Sequence, residues 1–202
     1  MYINPITAIE KGWITHPECT TLQDWHDKKF ISPNAIDFPL NSLFEIKSYL
    51  NPFYISETQK VHRDRTEMQP TVCDIEGVGS EEVFSISQQS CYDAMSDMYV
   101  DVPAGVTCEL IIRSTLNRNG VFLQAGQYDS AFKGNIGFVL YNISGTAFIA
   151  PGTRVGQIKF IQSDSDLKYE GGYNTTKGQH WTQAQLDLDV QSEDDELGDN
   201  ND

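Results

Sequence analysis

The sequence predicts a mainly β domain, a mostly antiparallel sandwich or barrel opened by a short N-terminal helix, and three observations carry that expectation. Seven runs rich in β-branched and aromatic residues recur from residue 34 to residue 162, punctuated by Gly, Pro, Asn or Ser. Helix-type spacing of apolar residues stands out at the start, and strands dominate beyond it. The 202 residues are 39% hydrophobic, which suits one good core with appendages and therefore one domain.

Taken in order, "PITAIEKGWI" (residues 5 to 14) has the spaced apolar positions of a short helix ending near Gly12. "NAIDFPLNSLFEIKSYL" (34 to 50) alternates apolar and polar positions after Pro33. The runs "VFSIS", "MYVDVP", "VTCELIIRS", "NIGFVLYNIS", "TAFIAPG" and "RVGQIKFIQ" repeat the theme. Residues 57 to 79 are charged and poorly periodic, and are expected to form a loop excursion.

Cys19, Cys73, Cys91 and Cys108 are widely spaced, without a CxxC pair. No apolar run is long enough for a signal peptide or a membrane span. A reduced, cytoplasmic setting with no membrane partner is expected, a host's cytoplasm if the source is viral. His16, Cys19 and His26 lie near one another, but no fourth ligand has metal-site spacing, so structural or surface roles are expected and no metal site is assigned.

The net charge of −15 speaks against direct binding to nucleic acid, and its distribution matters more than its sum. Eight carboxylates and no basic residue fall between Asp187 and Asp202; removing those eight from the total leaves −7 for the body. The stretch from 181 to 202 is expected to be a disordered, solubilising tail, with binding of a protein partner as the other reading.

Polar residues cluster at a few places in the body. Asp37 follows Ile36 at a strand start. "RSTLNRNG" (113 to 120) follows an apolar run. Arg113 and Arg118 with the hydroxyls of Ser114 and Thr115 form either an anion cradle or structural ion pairs beside a turn. "GVFLQAGQYD" (120 to 129) is expected to form a hairpin whose exposed backbone groups meet a small planar ligand. Its terminal Asp129 is either a turn residue or a water-orienting base beside a phosphate.

The order and wording of these segments resemble the superfamily of trimeric deoxyuridine triphosphatases (dUTPases) and dCTP deaminases. "AIEKGWI" (8 to 14) and "SPNAIDFPLNSLFEI" (32 to 46) are similar to the N-terminus and first motif of the deaminase branch. "YVDVPAGVTCELIIRSTLNRNG" (99 to 120) resembles the strand and Arg-Ser phosphate motif, and "AGQYDSAFKGNIGFVLYN" (125 to 142) the hairpin and Asp motif. "APGTRVGQIKFI" (150 to 161) and "YEGGYNTTKGQ" (169 to 179) resemble the late glutamine motif and the Tyr-bearing C-terminal motif.

The resemblance implies the distorted, jelly-roll-like β-barrel of the dUTPase fold over residues 1 to 180. It implies a homotrimer with sites between subunits and a C-terminal motif that closes over a neighbour's ligand. Asp129 matches the carboxylate that positions water against the α-phosphorus. Phe132 matches the ring that stacks beneath deoxyribose. Arg113, Ser114 and Gln157 match nucleotide contacts near the phosphates, Thr115 stands beside them, and Arg118 matches an active-site arginine of the deaminase branch. Backbone groups from Gln124 through Gly126 to Tyr128 would meet the pyrimidine edge. Tyr173 matches the C-terminal tyrosine; Gly172 takes the usual place of a lysine, whose phosphate contact is then either missing or supplied by Lys177.

One departure separates the two branches. Deaminases carry a glutamate in the strand after the Asp motif, which shuttles protons as water adds to C4 of cytosine; here Val139 takes its place. The expectation is a dUTP diphosphatase that uses Mg2+ and forms dUMP and pyrophosphate. Deamination of dCTP or of a modified dCTP, and a non-catalytic nucleotide- or partner-binding protein, are the alternatives.

Overall fold

A computed structural model describes residues 1–46, 53–56, 60–61, 63–164, 167–170 and 174–175. The first part of the chain runs α1 (Pro5–Glu10), β1 (Ile14–Thr15), α2 (Leu22–Asp27), β2 (Ile31–Ser32), β3 (Ala35–Pro39), β4 (Ser42–Ile46), β5 (Tyr54–Ile55), β6 (Lys60–Val61), β7 (Arg65–Met68), β8 (Thr71–Ile75) and β9 (Gly79–Ile86). It continues with β10 (Ser90–Asp101), β11 (Val106–Ile112), α3 (Ser114–Arg118), β12 (Val121–Gln124), β13 (Lys133–Asn142), β14 (Ala147–Ile149) and β15 (Arg154–Gln162).

The expected mainly β architecture is present, but the sheets are open layers and do not close into a barrel. One sheet has the order β12-β13-β10-β4-β7, with β1 also paired to β10. The second has the order β11-β15-β3-β2, and β14-β9-β8 form a third. Among the described residues the strand pairs are all antiparallel, as short connections between neighbours allow.

The first two sheets enclose the core. Alternation along β13 sends Ile136, Phe138 and Leu140 inward, where Phe138 meets Phe38 of β3 with ring centroids 5.2 Å apart. Gly156 on β15 makes room for that contact: a Cβ there would lie 2.1 Å from Cζ of Phe38. The strand run "RVGQIKFIQ" therefore carries its glycine for a packing reason.

Helix α1 starts where the sequence indicates. Asn4 caps it by accepting the Ile6 N–H at 2.9 Å, and Pro5 occupies the first turn, where its missing donor costs nothing. Helix α2 was not expected. Thr21 and Asp24 form its capping box, and Trp25 is its one buried residue.

The loop reading of residues 57 to 79 needs correction where the chain is described. Arg65–Met68 joins β4 at the sheet edge, and Thr71–Ile75 pairs with β9. Edge strands expose much of their surface and carry charges that discourage further pairing, so their sequence lacks a hydrophobic alternation. "GVFLQAGQYD" is likewise not a hairpin by itself. Val121–Gln124 pairs with β13, and residues 125 to 132 form the connection.

His16 has a structural role. Its ring is buried 5.1 Å from that of Phe30 and 6.4 Å from that of Trp25, and its Nδ1 accepts the Glu18 N–H at 3.2 Å. All four cysteines are free. Among the described residues, no helix is long and apolar enough to cross a membrane.

Candidate active site

The β12–β13 connection overhangs a cavity of ≈ 400 Å³ on the outer face of the first sheet. Gln124, Gly126, Tyr128 and Phe132, all expected from the sequence, line it. Residues 125 to 127 lie outside the strand ladder and are exposed along its edge, so their backbone groups are open to a ligand. Tyr128 holds the overhang down: its hydroxyl donates to the Gly137 carbonyl at 2.7 Å and accepts the Gly137 N–H at 2.9 Å. Burial pushes that hydroxyl well above the usual tyrosine pKa, so Tyr128 acts as a neutral tether.

Phe132 is packed between Tyr128 and Tyr169, with ring centroids 4.7 and 5.4 Å away. Ala131 turns the chain into this position with φ of 70°, and Gly134 leaves the ring its space, since a Cβ there would sit 2.8 Å from Cζ of Phe132. Asp129 is exposed beside the cavity wall. Its Oδ1 accepts from Nε2 of Gln127 at 3.2 Å, and the same nitrogen donates to Thr107 at 2.8 Å. Ser130 donates to the Val106 carbonyl, and Tyr128 exchanges both backbone hydrogen bonds with Cys108. The carboxylate is thereby fixed at the beginning of β11.

A second polar cluster surrounds Asp37, which is 2% exposed. Its Oδ1 accepts from Nε2 of Gln157 at 2.6 Å and from the Ser32 hydroxyl at 2.9 Å. Its Oδ2 faces Nε of Arg113 at 3.5 Å and the Arg154 guanidinium at 3.2 Å. The β3–β15 and β15–β11 registers bring Asp37, Gln157 and the end of β11 together. Ser114, Thr115 and Arg118 lie on exposed α3 just beyond Arg113.

Within one chain these clusters do not meet. Tyr128 is paired to Cys108, and Arg113 stands five residues further along, which at about 3.3 Å per residue is roughly 16 Å of strand. A single phosphate group cannot touch both Asp129 and the Asp37 cluster. Tyr173, Lys177 and residues 181 to 202 lie outside the described residues. Their described neighbours Tyr169 and Thr175 donate their backbone N–H groups to the carbonyls of Ser130 and Lys133, along the connection that bears Asp129.

The family model described as dCTP deaminase-like matches residues 15–163, most of the chain. The chain belongs to the dCTP deaminase-like family. This dCTP deaminase-like chain is 32% identical over 119 residues to a protein of Sulfurihydrogenibium sp. named dCTP deaminase, dUMP-forming, a match covering 57% of this chain and 66% of that relative. It is 25% identical over 143 residues to a probable deoxyuridine 5'-triphosphate nucleotidohydrolase of Halobacterium salinarum, covering 71% of this chain and 82% of the relative. Its fold is similar to that of the crystal structure of 2'-deoxycytidine 5'-triphosphate deaminase from Agrobacterium tumefaciens, with a TM-score of 0.53 and 11% identity over 77% of this chain and 45% of that one.

In this dCTP deaminase-like chain the floor of the cavity includes Val139, together with two polar residues that the sequence reading missed. Asp93, 7% exposed, is the direct cross-strand partner of Val139 and is ion-paired with Arg65 of β7. Burial pushes the Asp93 carboxyl up, against the pull of the Arg65 guanidinium. Asn135, 5% exposed, donates Nδ2 to the Ser96 carbonyl at 3.2 Å, while its buried Oδ1 has no hydrogen-bond partner among the described residues. The available signal was a carboxylate inside the otherwise apolar and small-residue stretch "CYDAM", residues 91 to 95.

Proposed function

We propose that this chain is a dUTP diphosphatase, converting dUTP to dUMP and pyrophosphate at a site shared between copies of a homotrimer. The observation that carries the reading is Val139 in the floor of the cavity, where a deaminase needs a proton-transferring side chain. Valine neither accepts nor donates a proton, whereas hydrolysis of the α–β phosphate bond asks only for an oriented water and a charge cradle.

In this reading the base enters the cavity and its edge meets backbone groups of residues 124 to 128, with the sugar over Phe132. Asp129 of the same chain orients a water molecule and takes its proton as the oxygen attacks the α-phosphorus; the α–β bridge breaks and pyrophosphate leaves. Arg113, set by Asp37, supplies positive charge for the phosphates from another copy; Gln157 lies beside it with its amide hydrogens on Asp37 and Ser32, and would turn one of them to a phosphate on binding, with Ser114, Thr115 and Arg118 nearby. The roughly 16 Å between Asp129's anchor and Arg113 supports a composite site. The fourfold set of partners on Asp37 supports a preorganised cradle.

Mg2+ fits as a companion of the nucleotide. Among the described residues no three His, Cys, Asp or Glu side chains converge into a cage, and Mg2+ that enters with a triphosphate takes much of its coordination from phosphate and water. Bound so, it would neutralise phosphate charge.

A second reading, deamination of dCTP, is favoured by Asp93 beside Val139 and opposed by the Arg65 pair that already engages that carboxylate. The deciding assay offers dUTP, dCTP, dTTP and UTP with Mg2+ and follows pyrophosphate and ammonia. Pyrophosphate from dUTP is expected, reduced about 100- to 10,000-fold in Asp129→Asn. Ammonia from dCTP without pyrophosphate would replace this reading with the second.

A further inference from the structure

The β12–β13 ladder ends at the pair Gln124 and Val139, so the stretch of β13 from Asn135 to Gly137 has no β12 residue opposite it. On its other side β13 meets an irregularity of β10. The register moves from Met95 opposite Gly137 to Tyr99 opposite Asn135, so Ser96, Asp97 and Met98 span the length that Ile136 spans alone. Side chains hold this bulge in shape: Oγ of Ser96 accepts the Met98 N–H at 3.3 Å, and Oδ1 of Asn41 accepts the Asp97 N–H at 3.1 Å. The Ser96 carbonyl then meets Asn135, whose Nδ2 donates to it at 3.2 Å.

That bond fixes which way the Asn135 amide is turned. A carbonyl only accepts, so the nitrogen has to face Ser96 and the oxygen is the atom left over. Because the two atoms splay from one carbon, Oδ1 is directed away from β10, toward the side of β13 that β12 leaves open. Of the buried side-chain nitrogen and oxygen atoms without a hydrogen-bond partner among the described residues, Oδ1 of Asn135 alone belongs to a residue that lines the cavity. The next residue on its face, Gly137, has no side chain to answer it. A buried acceptor without a donor carries a free-energy cost that a bound donor removes.

We infer that Asn135 contacts the nucleotide, its Oδ1 accepting one of the hydrogen-bond donors of the nucleoside. This rests on the reading of the cavity as a deoxyuridine nucleotide site and deepens it. The nucleoside half of dUTP has only two donors, N3–H of uracil and the 3'-hydroxyl of the sugar; its other polar atoms accept. Either donor satisfies Oδ1. A lone pair in the same place is repelled, since turning the amide over would break the bond to Ser96. Through N3–H, Asn135 separates uracil from a base whose N3 is unprotonated. Through the 3'-hydroxyl, it separates a deoxynucleotide from a 2',3'-dideoxynucleotide.

The test measures, by calorimetry with Mg2+, binding of the α,β-imido analogue of dUTP to the full-length protein, beside the N3-methyl and 3'-deoxy forms of the same analogue. Wild type is compared with Asn135→Leu, which is close in size and has no acceptor. Asn135→Thr is measured as well, because its hydroxyl can donate to Ser96 if the leucine variant fails to fold. What is read is the loss of affinity that each modification causes within one protein, so a general weakening of a variant does not enter. In wild type one modified form should bind about 10-fold or more weakly than the parent analogue, and in the variants that same penalty should shrink to about 2-fold or less. The form affected identifies the donor that Oδ1 receives. Penalties that are equal in wild type and variants for both forms would overturn the Asn135 contact, while binding of the parent analogue leaves the nucleotide site standing. No binding of the parent analogue by wild type would overturn the nucleotide reading itself, and this inference with it.

Discussion

Gln157 donates Nε2–H to Oδ1 of Asp37 at 2.6 Å, across a register pair that joins β15 to β3. The bond makes a buried carboxylate the organiser of side chains that come from two strands, β2 and β15, and the turn after β11. Asp37→Ala should therefore weaken phosphate binding without touching the cavity. Leaving Arg113, Arg154 and Gln157 without their shared acceptor should also cost about 1–3 kcal/mol of stability. Urea denaturation and a Michaelis analysis would check it: a raised KM with a smaller change in kcat is expected, whereas unchanged values of both would show that Asp37 does not organise the phosphate contacts.

Gly156 and Phe38 give a prediction about stability alone. A methyl group at 156 would meet the Phe38 ring from 2.1 Å, and that ring is held against Phe138 in the closed space between the sheets. Gly156→Ala should destabilise the fold by about 1–3 kcal/mol, the range for overpacking a well-filled core. Pairing it with Phe38→Leu should recover part of the loss, and a double variant no better than Gly156→Ala would contradict the contact.

His16 predicts a pH dependence. Burial among Phe30 and Trp25 lowers its pKa below the ordinary value, against a smaller upward pull from Glu18. Below the unfolded pKa of about 6.5 the unfolded chain then binds more protons than the folded one. The stability contributed by neutral His16 is complete above that pH and is lost as the pH falls through the lower, folded value. Thermal unfolding from pH 8 to pH 5 should show wild type losing stability relative to His16→Phe on acidification. A constant difference between the two would argue that His16 does not titrate in this range.

Much of the fold was legible because the inner strands have something to alternate against. Ile136, Phe138 and Leu140 on β13 and Val155, Ile158 and Phe160 on β15 bury their side chains and mark their strands in the sequence. Strands β7 and β8 were not legible, since an edge strand with exposed Glu67, Thr71 and Asp74 has no buried face to record. Helix α2 was not legible, since Trp25 is its one buried residue and a single apolar contact leaves no helical spacing in "LQDWHD". At the site, residues that share the β12–β13 connection could be grouped from local order. Asp93 could not, because its place beside Val139 depends on a register between strands over 40 residues apart in the chain. The same holds for Asp37 and Gln157.

In the proposed composite site Asp129 of one copy works with the Arg113 cradle of another. The most direct measurement co-expresses Asp129→Asn with Arg113→Ala and follows pyrophosphate release from dUTP by the purified mixed assembly, beside each variant alone. Each parent should be nearly silent, while random mixing in a cyclic assembly should restore roughly a quarter of the wild-type sites. A mixed assembly as silent as its parents, with subunit mixing and folding demonstrated, would contradict a site shared between copies.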